Sequence, residues 1–245
     1  MFEAKLKEAK LMKQSIDAAS QLISETSLSI RKDGIEMTAM DPANVSMVSF
    51  FIDAKAFEKY NLDKDLSIGV SMEDLTKILK RVKADEALEL TLASENRLEI
   101  GMGKRKFNIP LLDLGDKQTK KPDLAFPAAA EIKTGAFADA ISDAEIVSDA
   151  VTFEASKTEL KLTAEGDGRK VEILLDGKSD DVIKIVADSE ARSIFPLDYL
   201  KKMLKGVSIA ETVNIQLGKD YPLKLSVRDE NFQMSYILAP RIENE

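Results

Sequence analysis

An amphipathic helix is predicted by the stretch Ser71-Met72-Glu73-Asp74-Leu75-Thr76-Lys77-Ile78-Leu79-Lys80-Arg81-Val82. Ser71 and Asp74 have the spacing of a capping box, and the leucines, Ile78 and Val82 share one helical face. A similar pattern returns 125 positions later, with Leu200 in the place of Leu75, in the stretch Phe195-Pro196-Leu197-Asp198-Tyr199-Leu200-Lys201-Lys202-Met203-Leu204-Lys205-Gly206-Val207. Both stretches follow a strand-like run, residues 65–70 and 191–195, so the chain contains two similar halves.

Each half also shows a second helix and further strands. The helical stripes are Leu11, Met12, Ile16, Ala19, Leu22 and Ile23 in the first half, and Phe137, Ile141, Ala144 and Val147 in the second. Hairpins are predicted where residues 27–30 turn through Asp33-Gly34 into 35–38, and where 151–154 turn into 160–164. Other alternating runs cover 45–52, 88–92, 97–102, 106–112, 170–175, 182–188, 212–217, 223–227 and 233–238. This mixture indicates an α+β fold.

A connector is predicted between the halves. Residues 113–127 are polar, contain two prolines and a glycine, and show no sustained period. We therefore expect an N-terminal domain at 1–112, an interdomain connector at 113–127 and a C-terminal domain at 128–245. Leu124 and Phe126 are unusual for a pure spacer and indicate a packed or docking segment.

Composition limits the chemistry. The 245 residues include no cysteine and no histidine, which excludes disulfides, the usual zinc sites and a serine–histidine–acid triad. A carboxylate-only magnesium site stays open. The net charge of −8 argues against a simple nucleic-acid binder unless the basic residues gather on one face. The apolar runs are too short to span a membrane and the N-terminus lacks a secretory pattern, so we expect a cytoplasmic chain.

The sequence resembles a known family, the archaeal and eukaryotic sliding clamp called proliferating cell nuclear antigen. The resemblance rests on segments that occur in the family's order along the whole chain: 1–6, 34–48, 69–81, 111–114, 221–223 and 236–243, the last being Tyr236-Ile237-Leu238-Ala239-Pro240-Arg241-Ile242-Glu243. It implies an α+β fold of two similar clamp domains, each made of two βαβββ repeats. Three subunits would form a head-to-tail trimeric ring with helices lining the hole.

The resemblance implies that the basic helix faces bind DNA. The candidate DNA-binding residues are Lys10, Lys13, Lys77, Lys80, Arg81, Lys201, Lys202 and Lys205. An ordinary solvated helix face is the alternative interpretation. The helix around 137–144 departs from the pattern because it carries Asp139, Asp143 and Glu145, which leaves its share of DNA contact open.

The resemblance also implies a pocket for short partner motifs, formed by the connector, the loop at 40–47 and the C-terminal segment. The matching partner-binding residues are Met40, Val45, Met47, Leu124, Phe126, Pro222, Ile237, Leu238, Ala239, Pro240 and Ile242. Flexible methionines suit a surface that accepts many partners. Burial in the domain core is the alternative for some of them, above all Leu238 and Val45.

The subunit interface is expected at two edge strands. By resemblance, the residues of this interface are Lys104, Arg105, Lys106, Phe107, Ile109 and Leu111 on one edge, and Arg169, Lys170, Glu172, Ile173, Leu175 and Asp176 on the other. Pairing two edges between subunits would remove exposed backbone groups that favour aggregation. Two ordinary solvent-facing edge strands are the alternative interpretation.

The function implied is that of an archaeal-type DNA sliding clamp, a polymerase processivity factor in DNA replication and repair that works by topology. We expect no catalytic residue, no metal and no cofactor. The expected partners are duplex DNA without sequence preference, DNA polymerase, a clamp loader, flap endonuclease and DNA ligase, with no membrane and a nucleoid location. The alternatives are a subunit of a heterotrimeric or checkpoint-type clamp, a carboxylate-dependent nuclease or phosphotransferase, and an interaction scaffold unrelated to DNA.

Overall fold

The computed structural model describes residues 1–83, 85–94, 96–115 and 119–242. These residues form four α-helices: α1 (Lys10–Ala19), α2 (Met72–Leu79), α3 (Thr134–Glu145) and α4 (Leu197–Val207). The strands of the first half are β1 (Phe2–Leu6), β2 (Glu25–Arg31), β3 (Gly34–Met40), β4 (Ser46–Asp53), β5 (Lys59–Leu62), β6 (Leu66–Ser71), β7 (Leu88–Ser94), β8 (Arg97–Met102) and β9 (Arg105–Pro110). Those of the second half are β10 (Ala128–Lys133), β11 (Ala150–Ala155), β12 (Glu159–Gly166), β13 (Arg169–Asp176), β14 (Val182–Ala187), β15 (Ala191–Pro196), β16 (Thr212–Leu217), β17 (Leu223–Asp229) and β18 (Phe232–Leu238).

The element order contains the βαβββ unit four times. The units are β1-α1-β2-β3-β4, β6-α2-β7-β8-β9, β10-α3-β11-β12-β13 and β15-α4-β16-β17-β18, with β5 and β14 as additional strands between them. The predicted α+β architecture of two similar halves is confirmed. The shift of 125 positions that relates α2 to α4 also relates α1 to α3, since it superimposes the buried Ile16 on the buried Ile141.

The chain divides into two compact units. Unit 1 consists of Met1–Pro42, Val48–Lys121 and Asp229–Met234, and unit 2 of Ala43–Met47, Pro122–Arg228 and Ser235–Glu245. The short exchanged segments were not predicted, because sequence patterns do not show which unit a strand joins. The bounds 1–112, 113–127 and 128–245 remain our proposal for the domains.

Both units are built from antiparallel sheets. In unit 1 one sheet has the strand order β5-β1-β7-β8-β9, and a second run has the order β6-β2-β3-β4. In unit 2 one sheet has the order β13-β12-β11-β15, and a second run has the order β14-β10-β16-β17-β18. Within the described residues β9 and β13 therefore end their sheets, and each pairs on one side only.

Each unit has its own apolar core because alternate strand residues and one helix face point inward. Phe2, Ile30 and Phe50 are buried in unit 1. In unit 2 the Phe153 ring lies between Phe137 and Phe195, with centroid distances of 6.4 and 5.6 Å. Aromatic pairs in such edge or tilted arrangements add to the stabilisation from burial.

The two helices quoted first form close to the predicted positions. The Ser71 hydroxyl accepts a hydrogen bond of 3.2 Å from the backbone N–H of Asp74, as the capping-box spacing predicted. The helix ends at Leu79, so Lys80, Arg81 and Val82 lie in the closing turn rather than in α2. In the second half Phe195 and Pro196 belong to β15, and α4 begins at Leu197.

Three strands were not predicted from the pattern: β1, β5 and β10. The β10 sequence starts with three alanines, which have low β propensity, yet it pairs on both sides with β14 and β16. Pairing with strands that are distant in sequence therefore makes these residues a strand. In α1, the predicted stripe extends beyond the helix end at Ala19, so Leu22 and Ile23 are buried in the following turn.

The start of the connector is fixed within unit 1. The Leu112 N–H donates to the Gly69 carbonyl at 2.9 Å. A Cβ on Gly69 would lie 2.1 Å from the Leu112 carbonyl oxygen, so only glycine allows this approach. The chain is thus anchored before it enters residues 113–127. None of the helices in the described ranges is long and apolar enough to cross a membrane.

Candidate functional site

The C-terminal tail of unit 2 is held by backbone hydrogen bonds. The Ala239 N–H donates to the Val45 carbonyl at 2.9 Å, and the Arg241 N–H donates to the Ile194 carbonyl at 2.7 Å. These bonds connect three segments of unit 2 that are far apart in sequence: the loop before β4, strand β15 and the C-terminal tail. Val45 and Ala239, both candidate partner-binding residues, are therefore neighbours.

A bidentate ion pair holds the same tail. The Arg241 guanidinium donates to both carboxylate oxygens of Asp149, at 3.0 and 2.9 Å. The hydrogen bond and the charge of Arg241 hold the pKa of Asp149 below its ordinary value of 3.8. A carboxyl whose pKa falls on folding stabilises the folded state above the ordinary value, and this contribution is lost as the pH drops through the lowered pKa. The ion pair is therefore intact at neutral pH and is lost only as the pH drops through this lowered pKa.

We expect Asp149→Asn to loosen the tail without unfolding unit 2. The pair is exposed, so its loss should cost about 0.5–1 kcal/mol and speed hydrogen exchange at the Arg241 amide by roughly 2–5-fold at pH 7. The difference should shrink as the pH drops through the lowered pKa, where the wild-type carboxyl gains its proton. Asp167→Asn, which removes an exposed carboxylate 3.7 Å from Arg169, is the matched control. Equal exchange rates in Asp149→Asn and wild type would show that the pair does not hold the tail.

The end of the connector packs against the loop before β17. The Phe126 and Tyr221 rings meet edge to face, with centroids 5.6 Å apart. The Tyr221 N–H donates to the Ser193 hydroxyl at 3.0 Å, and this hydroxyl donates to the Gly218 carbonyl at 2.9 Å. Phe126 is thus placed beside the segment that carries Pro222.

Burial separates the unit 2 candidates into two groups. Met47 and Leu238 are 5% and 0% exposed, so their side chains support the surface from below and present no area to a partner. For Leu238 the alternative of core burial is the correct one. The remaining candidates of unit 2 are half-buried or exposed, and we call them the docking surface: Val45, Leu124, Phe126, Pro222, Ile237, Ala239, Pro240 and Ile242.

Met40 belongs to unit 1. Its side chain is 40% exposed and lines a cleft of about 450 Å³. Leu114 and Lys121 of the connector line the same cleft, and the Lys121 ammonium group lies 2.9 Å from a Glu36 carboxylate oxygen. Within unit 1, the connector therefore covers polar strand faces rather than an apolar pocket.

The candidate DNA-binding residues lie on or directly after α1, α2 and α4. Lys13 is half-buried, and the others are exposed: Lys10, Lys77, Lys80, Arg81, Lys201, Lys202 and Lys205. Lys77 pairs with Glu73 and Lys201 with Glu145, each at 2.5 Å. The ammonium group of Lys202 lies 5.2 Å from the centre of the Tyr199 ring. The basic faces are thus solvent-accessible.

The candidate interface residues lie along β9 and β13 or next to them. Both strands end their sheets in the described part of the chain, as predicted for edge strands. On β9, Phe107 stands opposite Ile100 and is half-buried. On β13, Ile173 stands opposite Leu162 and is half-buried too. Each edge therefore ends in an apolar side chain that no further strand of its own sheet covers.

Several charges on these edges are already paired within their own unit. Arg105 donates to Glu86, with a closest distance of 2.9 Å, and Lys106 lies 2.9 Å from Glu99. Lys170 lies 2.9 Å from Glu172 on its own strand. These contacts were not predicted, because the acidic partners lie far away in sequence or were assigned to the interface itself. They leave backbone pairing and the apolar side chains as the main attraction that these edges offer.

Two residues that hold the docking surface were missed. Tyr221 precedes Pro222 and was quoted only for the resemblance, and Ser193 lies in the strand-like run 191–195, which was predicted as a strand without any role in the site. Asp220, the residue before Tyr221, has a left-handed backbone with φ of 49°, and its N–H donates to the Arg192 carbonyl at 3.0 Å. An aspartate before an aromatic residue and a proline indicates such a turn.

Comparison with known proteins shows similarity along almost the whole chain. The family models for the proliferating cell nuclear antigen match in two parts, the N-terminal domain at residues 1–101 and the C-terminal domain at residues 120–241. The chain is 37% identical to the DNA polymerase sliding clamp of Pyrococcus furiosus over 99% of both chains.

Solved structures show the same similarity. The structure of A. fulgidus PCNA with the C-terminal region of FEN-1 bound superimposes with a TM-score of 0.92, at 31% identity and full coverage of both chains. A chain of the PCNA2–PCNA3 complex from Sulfolobus tokodaii gives a TM-score of 0.89 at 28% identity, covering 98% of this chain and 99% of that one.

Proposed function

Since this chain belongs to the proliferating cell nuclear antigen family, we propose that three copies of it close head to tail into a ring around duplex DNA. The chain is a DNA sliding clamp, a processivity factor rather than an enzyme. The full-length similarity to clamps carries this conclusion. It gives no support to a heterotrimeric or checkpoint-type role.

The ring would form through β9 of one subunit and β13 of the next. A head-to-tail joint uses two different surfaces and must close by rotation, as in the trimeric ring that the resemblance to this family implies. The free backbone edges of β9 and β13 support this joint, as do the half-buried Phe107 and Ile173. The subunit-interface residues predicted from the sequence are part of this proposal.

Partners would dock on the unit 2 surface defined above. The A. fulgidus relative binds the C-terminal region of FEN-1, and we infer that flap endonuclease, DNA polymerase, DNA ligase and a clamp loader bind this chain through short motifs of the same kind. Docking on a ring that cannot leave the DNA sideways keeps an enzyme at high effective concentration near its substrate. We expect the clamp at the nucleoid, where that substrate is.

The proposal that the clamp encircles DNA can be tested with circular and linearised plasmid. The clamp is loaded on nicked circular plasmid by a clamp loader and separated from free protein by gel filtration. We expect the clamp to stay with the circle and to leave within minutes when a restriction enzyme cuts the plasmid, since a ring slides off a free end. A plasmid without the restriction site, treated in the same way, is the control. Retention on linear DNA would contradict the topological mechanism.

A further inference from the structure

The helices α1 and α2 of unit 1 enclose a basic groove. It has a volume of about 280 Å³, and its lining includes Lys10, Lys13 and Asp17 from α1, together with Thr76, Leu79 and Lys80. Three lysines and a single carboxylate thus line one groove. We call it the first groove.

The cations of the first groove are largely free to bind an anion. The Lys13 ammonium donates one hydrogen bond, to the Val82 carbonyl at 2.8 Å, which leaves two of its three N–H donors. Within the described ranges, Lys10 and Lys80 make no side-chain hydrogen bond or ion pair. The Thr76 hydroxyl oxygen is buried and finds no hydrogen-bond partner there either. The free N–H donors of the three lysines that line this groove suit a phosphate group.

The corresponding helices of unit 2 lack this arrangement. The shift of 125 positions places Gly135 and Ala138 where α1 has Lys10 and Lys13, and it places the acidic Asp139 where α1 has Gln14. The helices correspond in packing, since Met12 and Phe137 are both buried, as are Ile16 and Ile141. The solvent-facing positions of α3 are therefore not basic as those of α1 are, although the core positions of the two helices correspond.

One lysine of α4 is bound to an acidic residue of α3. Lys205 corresponds to Lys80, and Lys201 takes the position of Thr76. The Lys201 ammonium is bound to a carboxylate oxygen of Glu145 on α3 at 2.5 Å. We call the face formed by α3 and α4 the second groove; there the charge of Lys201 is paired with Glu145, and α3 itself contains three carboxylates and no lysine.

We propose that the first groove is the principal phosphate-binding site of each subunit and that the second groove contributes little. This inference rests on the proposed function, since it concerns DNA inside the ring. A closed trimer then holds the duplex through three phosphate sites separated by nearly neutral helix pairs. Attraction between a lysine cluster and phosphates carries no base information, so such sites position DNA without stopping it from sliding.

Two variants with equal charge loss test this asymmetry. Lys10→Gln, Lys13→Gln and Lys80→Gln are combined in one chain, and Lys201→Gln, Lys202→Gln and Lys205→Gln in the other. Binding to a fluorescent 30-base-pair duplex is measured by anisotropy over a series of salt concentrations. We expect the first variant to lose about 10-fold or more in affinity and to show a shallower salt slope. The second should change by less than about 3-fold, with a slope close to wild type.

A third variant tests the inference by a gain in affinity for DNA. Gly135→Lys, Ala138→Lys and Asp139→Gln give α3 the side chains of α1, and the affinity for the duplex should rise by about 3–10-fold. Native mass and thermal unfolding are followed for all variants to verify assembly. Equal losses in the two triple variants, or no gain in the third, would overturn the asymmetry and leave the DNA-encircling function standing. No loss in either triple variant would contradict the DNA face itself.

Discussion

Replacing Phe107 by aspartate is expected to convert an assembly of about 81 kDa, three times 27.0 kDa, into monomers. Phe107 lies on β9, where it stands opposite Ile100 of β8 and is covered from one side only. In the proposed joint it would face the β13 edge, on which Ile173 is a half-buried apolar residue. A carboxylate between these apolar side chains would have to leave water without a partner, at a cost of at least about 3 kcal/mol for each joint. That cost corresponds to a roughly 150-fold weaker joint.

The measurement is native mass by light scattering over a dilution series, followed by primer extension with polymerase and loader. A monomer cannot encircle DNA, so processive synthesis should fall to the level without clamp. Asn61→Asp places the same charge on β5, at the opposite edge of the same sheet, and should keep the trimer. The fold of the monomer should stay intact by far-UV circular dichroism at 25 °C, because Phe107 is only half-buried, whereas the unfolding temperature should fall as the stabilisation from assembly is lost.

A paired variant distinguishes a broken joint from a misfolded chain. A chain with both Phe107→Asp and Ile173→Lys places opposite charges on the two edges of every head-to-tail joint. Part of the trimer should return, since an opposite charge compensates for the buried carboxylate. A trimer in Phe107→Asp alone that resists dilution as well as wild type does would show that β9 is not the joint.

Sequence patterns predicted those parts of the fold in which side-chain periodicity and burial agree. The helices around Leu75 and Leu200 were found because an apolar face and a polar face alternate at 3.6 residues, and the sheet edges followed from the resemblance. The alanine-rich β10 was missed because its strand character comes from two neighbouring strands rather than from its own residues. Local propensity does not contain that information.

The site was predicted as a set of residues but not as a set of contacts. The bond between Ala239 and Val45 joins positions far apart in sequence, and so does the pair of Arg241 with Asp149. The ion pair between Lys201 and Glu145 shows the consequence for function. From sequence, Lys201 was one more cation of a basic face. In the structure its charge is shared with α3, which the sequence had shown to be acidic without showing what its carboxylates contact.

The docking surface should depend on a few apolar anchors. We expect the double variant Phe126→Ala and Ile237→Ala to bind a synthetic C-terminal peptide of FEN-1, the segment bound in the A. fulgidus relative, about 100-fold more weakly. Phe126 supplies the largest apolar side chain of the surface, and its ring is held edge to face by Tyr221. Interfaces concentrate their affinity in such aromatic and large aliphatic side chains, often with 2 kcal/mol or more for each.

Calorimetry on the trimer measures this affinity, and the native mass should remain about 81 kDa because neither residue lies on β9 or β13. Ile183→Ala is the matched control, since Ile183 is a 55% exposed isoleucine of unit 2 outside the docking surface, and it should change the affinity by less than about 2-fold. If Ile183→Ala weakened the peptide as much as the double variant, the partner would bind along β14. If neither variant weakened it, the anchors of unit 2 would not form the docking site. Weaker binding in the double variant alone, with the trimer intact, separates partner recognition in unit 2 from ring closure at the sheet edges.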